Sequence, residues 1–183
     1  MSEELLVRHC SPTLAGIKTA NLFCCRYESE DKLRRQISRF NLRLAPKGLR
    51  ILPLKFDRGR ALIYVYRPKK LGDDISKSDA AEILDKFGYT CRHPEGCIAR
   101  LIGRLHDSGD FPHEIGLFLG YPPEDVRGFI ENRAAESKCV GHWKVYGDEE
   151  AAKKLFAKYD KCTDVYLRHH AGGRQLEKLT VSV

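Results

Sequence analysis

A chain of 183 residues is long enough to bury one hydrophobic core, and 42% hydrophobic with 31% charged residues excludes a largely disordered protein. No apolar run approaches the roughly 20 residues that a membrane helix needs, and the N-terminus lacks the pattern of a signal peptide, so a cytoplasmic protein is expected. The seven cysteines are odd in number and include an adjacent pair, which predicts reduced thiols rather than a disulfide scaffold.

The net charge of +7 is unevenly distributed along the chain. Residues 26–72 hold 14 Lys and Arg against 4 Asp and Glu, a local net charge of +10, which leaves −3 for the remainder. This segment predicts a surface for an anionic partner, and a solvated helix face that needs no partner is the alternative. The residues expected to carry such a surface are Arg34, Arg35, Arg39, Arg58 and Arg60.

The N-terminal third predicts one helix between β-prone segments. The first residues, "SEELLVRHC", fit a helix or a strand, "SPTLAGIKTAN" is typical of a loop or of the entry to a helix, and "LFCCRY" indicates a buried strand. A helix follows from a capping residue, Ser29, to the helix breakers Pro46 and Gly48. Its apolar stripe consists of Leu33, Ile37, Phe40 and Leu44.

The next segments predict a β-hairpin and then helices. "LRILPLKF" and "ALIYVYRP" are β-prone runs that flank a short turn containing Gly59. A helix begins at Ser78 and runs through Phe87, where Gly88 ends it. "GCIARLIGRLH" is a further helix, whose apolar face consists of Ile98, Leu101, Ile102 and Leu105.

The C-terminal part predicts a β-α-β-β unit, in which "HWKVYG", "TDVYLRHH" and "LEKLTVSV" are strands and "DEEAAKKLFAKYDK" is a helix. The expected fold class is therefore α+β, a mostly antiparallel sheet with helices packed on one side and a helical hairpin inserted. A single domain is expected. Its sections are 1–75 with the basic helix and hairpin, 76–138 with the helices, and 139–183 with the β-α-β-β unit.

The segment "HEIGLFLGYPPEDVRGFI", residues 113–130, has the spacing of a helix-turn-helix. Gly116 and Gly120 lie where a close crossing and a turn require glycine, and the expected contacts between the helices are Ile115, Leu119, Val126 and Phe129. From residue 107 to 137, however, the chain has seven acidic residues and only two basic ones, and a DNA-reading surface needs Lys and Arg to neutralise phosphates. The segment therefore predicts scaffold, and nucleic acid is not expected to bind through 113–130.

"HCSPTLAGIKTAN" is the densest cluster of residues with chemical potential. Cys10 is a candidate catalytic nucleophile or a soft ligand, and His9 is a neighbour that points to the opposite face if the segment is a strand. An anion could be held by backbone amides and one ammonium, through Thr13, Lys18 and Asn21. A structural turn with a buried cysteine is the alternative.

Two further clusters carry weaker predictions. Cys91, His93 and Cys97 are residue types that suit zinc, and Cys139 and His142 could supply the missing ligand, but the spacings match no closed zinc site, so no metal is assigned. In "GHWKVYGD", Trp143 and Val145 share the face of a strand that is expected in the core. The other face presents Lys144 and Tyr146, an ammonium beside an aromatic ring that could hold a planar ligand.

Five phrases in combination resemble one family: "HCSPTLAGIKTANLF", "LIYVYRP", "FPHEIGLFLGYPPEDVRGFI", "GHWKVYGD" and "KCTDVY". The chain is similar over nearly its whole length to the bacterial family catalogued as domain of unknown function 3793, from anaerobic Firmicutes. The resemblance implies a single-domain cytoplasmic protein and implies no activity. It also suggests an association with flavodoxin and iron uptake, which favours a redox-related or iron-related role by association rather than mechanism.

Three functions follow as hypotheses. The first is a protein that binds a small anionic ligand or a cofactor such as haem, with a site around "HCSPTLAGIK" that includes His9, and with Lys144 and Tyr146 as walls. The second is a nucleic-acid-binding protein that uses segment 26–72. The third is an interaction module whose basic surface docks an acidic redox partner such as flavodoxin. The sequence leaves open whether the protein is an enzyme and which cofactor it holds.

Overall fold

The computed structural model describes residues 1–90, 93–107 and 111–182. They form two compact units. Unit 1 consists of Met1–Lys69 and Lys161–Val183, and unit 2 consists of Lys70–Asp160. The α+β class is confirmed, because packed helices accompany a small antiparallel sheet. The description of the whole chain as one domain stays a prediction.

The sheet of unit 1 contains three antiparallel strands, with β3 in the centre. The strands are β1 (Ala20–Arg26), β2 (Arg50–Asp57) and β3 (Arg60–Tyr66). The predicted hairpin is thus confirmed. Its turn places Arg58 at φ 44° and Gly59 at φ 76°. Two successive residues with positive φ make the tight turn that matches the twist of antiparallel strands.

The basic helix forms as the sequence predicts. It is α2, Glu30–Leu44, and the side chain of Ser29 accepts a hydrogen bond from the amide of Lys32 at 3.2 Å. Its four-residue apolar stripe is buried against the sheet face that carries Phe23, Ile51 and Ile63. Each such burial contributes about 1.5–3 kcal/mol, so the packing of this stripe, rather than helix propensity, holds α2 in place.

The expected N-terminal loop is wrong in its first part. Helix α1, Glu3–Leu14, begins after the cap Ser2 and continues through Ser11 and Pro12. Proline removes its own amide donor and crowds the carbonyl one turn earlier, but the apolar residues of α1 recur at helical spacing, so tertiary burial outweighs the local turn signal. The buried residues that α1 contributes to the core are Leu6, Val7, Cys10 and Leu14.

The predicted C-terminal β-α-β-β unit is also wrong. Helix α8, Glu149–Ala171, runs for 23 residues through the expected strand at 163–170, and the last segment forms a short helix, α9 (Leu176–Leu179). No glycine or proline interrupts α8 before Gly172, and partly buried Tyr166 and Leu167 continue its apolar face. Val165 and Tyr166 favour strands locally, but this packing overrides that preference.

The secondary structure described for unit 2, which leaves out residues 91–92 and 108–110, consists of helices and one short two-stranded ladder. The predicted helices at 78–87 and in "GCIARLIGRLH" are confirmed, and "HWKVYG" contributes only a two-residue strand. Its elements are α3 (Pro68–Ile75, from Lys70 onwards), α4 (Ser78–Lys86), α5 (Pro94–Asp107), α6 (Ile115–Phe118), α7 (Pro123–Glu131), β4 (Cys139–Val140), β5 (Lys144–Val145) and α8 up to Asp160. Among the described residues, no helix has the length and apolar character to cross a membrane.

Candidate functional site

The cluster predicted around Cys10 lies in the core of unit 1. Cys10 is fully buried within α1, and this burial raises the pKa of its thiol well above the usual range. Lys18 is 5% exposed, and burial lowers its pKa to about 8, although the charge of nearby Cys10 acts in the opposite direction. Because the thiolate is the reactive form, burial opposes nucleophilic chemistry at Cys10. A catalytic role for Cys10 stays a prediction that its surroundings do not favour.

The remaining residues of that cluster make side-chain contacts of their own. The hydroxyl of Thr13 donates to Oδ1 of Asn21 at 2.7 Å. The ring of His9 stacks on Phe23 with centroids 5.0 Å apart, and burial, followed by the charge of Arg8, lowers the pKa of His9. The structure therefore places Cys10 near Lys18, and it joins Thr13 to Asn21 by a hydrogen bond.

Arg67 is a buried cation that sequence reasoning missed. It is 1% exposed and follows β3 directly. Its guanidinium donates to the carbonyls of Thr13 at 2.7 Å, Leu14 at 2.8 Å, Lys47 at 3.2 Å and Val181 at 2.8 Å. Carbonyls at a helix C-terminus carry partial negative charge, so they compensate the guanidinium without a carboxylate. The signal in the sequence is an arginine that directly follows an apolar strand.

The candidate zinc residues do not assemble in the described part of the chain. Cys91 lies outside the described residues. His93 is exposed just before α5, and Cys97 is fully buried within this helix. Across residues 1–90, 93–107 and 111–182, no group of three His, Cys, Asp or Glu is placed to hold a metal ion.

All five arginines predicted to carry the anion or partner surface are exposed. Arg34 lies over the ring of Phe56 at 4.6 Å and is 3.8 Å from a carboxylate oxygen of Glu30. A surface pair of this length contributes little, so most of the positive charge of this face remains open to solvent. The basic surface consists of Arg34, Arg35 and Arg39 on α2 and of Arg58 and Arg60 at the hairpin.

A cavity of about 410 Å³ lies within unit 2. This volume is in the range of small-molecule sites, which are concave, mostly apolar and carry a few polar groups. Apolar and aromatic side chains from the α6–α7 region and from the β4–β5 hairpin form most of its lining. The lining residues are Phe111, His113, Ile115, Gly116, Tyr121, Asp125, Val126, Phe129, Val140, Gly141, His142, Trp143 and Lys144.

Close packing of α6 against α7 forms one wall of this cavity. A Cβ added at Gly116 would lie 2.7 Å from Cγ2 of Val126, so only glycine fits at this crossing. Gly120, at φ 74°, makes the turn that follows α6. Since α6 is a single helical turn, the segment lacks the two full helices of a DNA-reading motif, and Arg127 is 3.3 Å from Glu82.

Aromatic rings form a second wall. Trp143 stacks on Tyr121 with centroids 4.7 Å apart, and the rings of Trp143 and Phe156 meet edge to face with centroids 4.5 Å apart. Burial raises the pKa of Tyr121 to about 12, so its hydroxyl stays neutral at physiological pH. Trp143 is 8% exposed and Val145 is fully buried, as the expected core face of this strand requires.

Asp125 is a buried carboxylate that fixes the cavity wall. Its Oδ2 accepts from Nε1 of Trp143 at 2.7 Å, and its Oδ1 accepts from the amides of Tyr146 at 2.7 Å and Gly147 at 2.8 Å. Three donors thus satisfy a side chain that is 2% exposed. Asp125 therefore joins α7 to the β4–β5 hairpin. Sequence reasoning assigned Asp125 to no site.

The side chains of Lys144, His142 and His113 contribute nitrogen atoms to the lining of the cavity. Nζ of Lys144 donates to the carbonyl of Ala134 at 2.5 Å. Nε2 of His142 lies 2.9 Å from Oδ1 of Asp160, and His113 meets the ring of Phe129 edge-on. Of the two residues predicted as walls, Lys144 lines the cavity, whereas Tyr146 packs closely against Gly128.

The segment that holds the Ala134 carbonyl is strained. Arg133, Ala134 and Glu136 have φ values of 48°, 65° and 57°, a region that residues with a Cβ rarely adopt. Each such residue costs about 1–2 kcal/mol, so surrounding contacts must hold this segment. The hydrogen bond from Lys144 is one of those contacts.

Two apolar side chains at the cavity are exposed to solvent. Phe111 is 48% exposed and Val140 is 69% exposed, and they are among the few large hydrophobic residues exposed in the described chain. Exposed apolar groups that border a concave site are typical of ligand-binding surfaces.

Comparison with known proteins identifies the family. A model described as a protein of unknown function, DUF3793, matches residues 6–180, nearly the whole chain. The chain matches no curated protein and no solved structure. The chain therefore belongs to the DUF3793 family, as the five sequence phrases indicated.

Proposed function

We propose that this protein binds a small molecule with a planar, mostly apolar body in the cavity of unit 2. The observation that carries the proposal is the cavity of about 410 Å³ with its aromatic and aliphatic lining. A planar ring could lie against Trp143 and Tyr121, since offset stacking adds to the free energy of apolar burial. Covering Phe111 and Val140 would remove exposed apolar surface from water.

The proposal keeps the ligand-binding function expected from the sequence and changes its place. Lys144 belongs to this cavity, whereas Cys10, Thr13 and Lys18 lie in the core of unit 1. Haem as the ligand stays a prediction. A cytoplasmic location is part of the proposal, because an exposed free thiol at Cys24 suits a reducing compartment.

The test uses N-phenyl-1-naphthylamine, a neutral planar probe whose fluorescence rises in apolar sites. The protein contains a single tryptophan, Trp143, and it lines the cavity, so efficient energy transfer from Trp143 to the probe is expected on binding there. One saturable site is expected. A carboxylate at the rim, in Val140→Asp, should weaken binding at least about fivefold, because the apolar contact is lost and a charge is introduced.

Val181→Asp is the matched control, because Val181 is also exposed, at 47%, but belongs to unit 1. It should bind the probe like the wild type. Absence of saturable binding, or equal weakening by the two substitutions, would contradict the proposal.

A second candidate function rests on the basic surface. Exposure of all five of its arginines favours a polyanionic partner, whose affinity would fall steeply as salt rises. Arg35→Glu should then weaken binding of an oligonucleotide at low salt, whereas Arg174→Glu, at an exposed position outside this surface, should change it little. No oligonucleotide binding at low salt would exclude nucleic acid. An acidic protein such as flavodoxin stays a separate prediction.

A further inference from the structure

Lys144 has two relations in unit 2 that bear on the ligand. It lines the cavity, and its ammonium donates at 2.5 Å to the carbonyl of Ala134. Among the described residues, the structure pairs this ammonium with no carboxylate within 4.0 Å, so its partner is a neutral dipole. Such a cation beside an apolar cavity is available for a stronger, charged acceptor.

The other polar side chains of the cavity already have partners, so Lys144 is the side chain available to bind an anion. The carboxylate of Asp125 lines the cavity, but three donors already occupy its two oxygens. His142 contacts Asp160 through Nε2, and the ring of His113 meets the ring of Phe129 edge-on. The polar recognition that the cavity offers is therefore directed at an anionic group on the ligand.

We propose that the ligand is an amphipathic anion, a planar apolar body with a carboxylate or similar group, and that this group takes Lys144 from the carbonyl of Ala134. The inference rests on the proposed function, because it requires a ligand in the cavity. A full charge binds an ammonium more strongly than a carbonyl dipole does, which drives the exchange.

The exchange has a structural consequence in segment 132–138. Arg133, Ala134 and Glu136 adopt positive φ, and the Lys144 hydrogen bond helps to hold Ala134 there. Once Lys144 turns to the ligand, the carbonyl of Ala134 loses this donor and the segment relaxes. Occupancy of the cavity is thereby coupled to the conformation of an exposed loop, through which a partner could sense the bound state.

The first test compares 8-anilino-1-naphthalenesulfonate with N-phenyl-1-naphthylamine. The two probes share their ring system, and only the first carries an anionic group. Lys144→Met should weaken the anionic probe about tenfold and the neutral probe less than about twofold, since the methionine keeps apolar bulk and removes the charge. Lys138→Met is the matched control, because Nζ of Lys138 also donates to a carbonyl, that of Gly147 at 2.6 Å, and Lys138 does not line the cavity.

The second test measures amide hydrogen exchange in the wild-type protein. In the strained segment, the amide of Ala134 donates to the carbonyl of Phe129 and the amide of Ala135 donates to the carbonyl of Asn132. Saturation with the anionic probe should accelerate exchange over residues 132–138, whereas saturation with the neutral probe should not. Lys144→Met without any probe should show the same acceleration.

The outcomes separate the two proposals. If neither probe binds, the proposed function is wrong and the inference is wrong with it. If both probes bind and Lys144→Met weakens them equally or not at all, the cavity binds ligands but recognition of an anion by Lys144 is wrong. If the anionic probe depends on Lys144 but slows exchange at 132–138 or leaves it unchanged, the release of the loop is wrong.

Discussion

Replacing Asp125 by alanine should destabilise the protein by about 3–5 kcal/mol. The carboxylate accepts three hydrogen bonds of 2.7, 2.7 and 2.8 Å, from Trp143, Tyr146 and Gly147. Each donor that is left without an acceptor in a buried or partly buried place costs about 1–1.5 kcal/mol here, near the lower end of the range for buried polar groups. Three such donors account for most of the expected loss.

A double substitution isolates the bond to the indole. Asp125→Asn retains one oxygen for the two backbone amides but turns an NH₂ group, in the favourable orientation, toward the N–H of Trp143. Two donors then face each other, so Asp125→Asn should cost about 2–4 kcal/mol in the wild type. In the Trp143→Phe background that conflict is absent. The same asparagine should there cost about 1–2 kcal/mol less, which is the coupling energy between the two neighbouring side chains.

The assay is urea denaturation followed by far-UV circular dichroism, because Trp143→Phe removes the single tryptophan and with it the intrinsic indole fluorescence. Substitution of exposed Asp160 by asparagine is a control for the loss of a carboxylate and should shift stability by less than about 0.5 kcal/mol. Equal costs of Asp125→Asn in both backgrounds would refute the assigned role of the Trp143 bond. A cost of Asp125→Ala below about 1 kcal/mol would refute the buried three-bond network as a whole.

Three further predictions concern other parts of the molecule. Burial lowers the pKa of Lys18 from 10.5 to about 8, so between these pH values the unfolded chain binds more protons than the folded protein. The free energy of unfolding should therefore rise with pH from about 8 to 10.5, and Lys18→Met should abolish roughly 3 kcal/mol of this rise. An unchanged pH profile of the variant would contradict this prediction. Iodoacetamide should modify exposed Cys24 rapidly and fully buried Cys10 only on unfolding, as peptide mass spectrometry would show; equal rates would contradict the burial. Gly116→Ala should cost about 1–3 kcal/mol in thermal unfolding because its Cβ would meet Val126, and no loss would disprove the tight crossing.

The sequence by itself determined the elements whose local signals agree with their burial. The capping residue Ser29, the four-residue stripe of α2 and the breakers Pro46 and Gly48 defined that helix. The turn at Gly59 defined the β2–β3 hairpin, because a tight turn of this kind requires positive φ. Such signals lie within a few residues of each other, so they can be read without knowledge of the fold.

Tertiary packing decided the segments where local preference and burial disagree. "TDVYLRHH" has β-prone residues, yet it continues α8 because Tyr166 and Leu167 pack against the core. Pro12 indicated a loop, yet α1 runs through it because its apolar residues are buried on one side. In both cases the free energy of burying a helical face exceeds the local cost, which is small for the β-prone residues of α8 and about 3 kcal/mol for a proline within a helix.

The candidate site depended on tertiary structure more than the fold did. Sequence reasoning selected Lys144 for its residue type, but the cavity joins residues from 111 to 144 that meet only when α6, α7 and the β4–β5 hairpin pack together. It also left open whether Cys10 is a reactive thiol or a buried structural one, and the packing of α1 shows that this thiol is buried. Residue type indicates which chemistry a side chain can perform, whereas burial and proximity decide whether it can perform it in the folded protein. Burial and proximity depend on contacts between segments that are distant in the chain, so only the tertiary structure shows them.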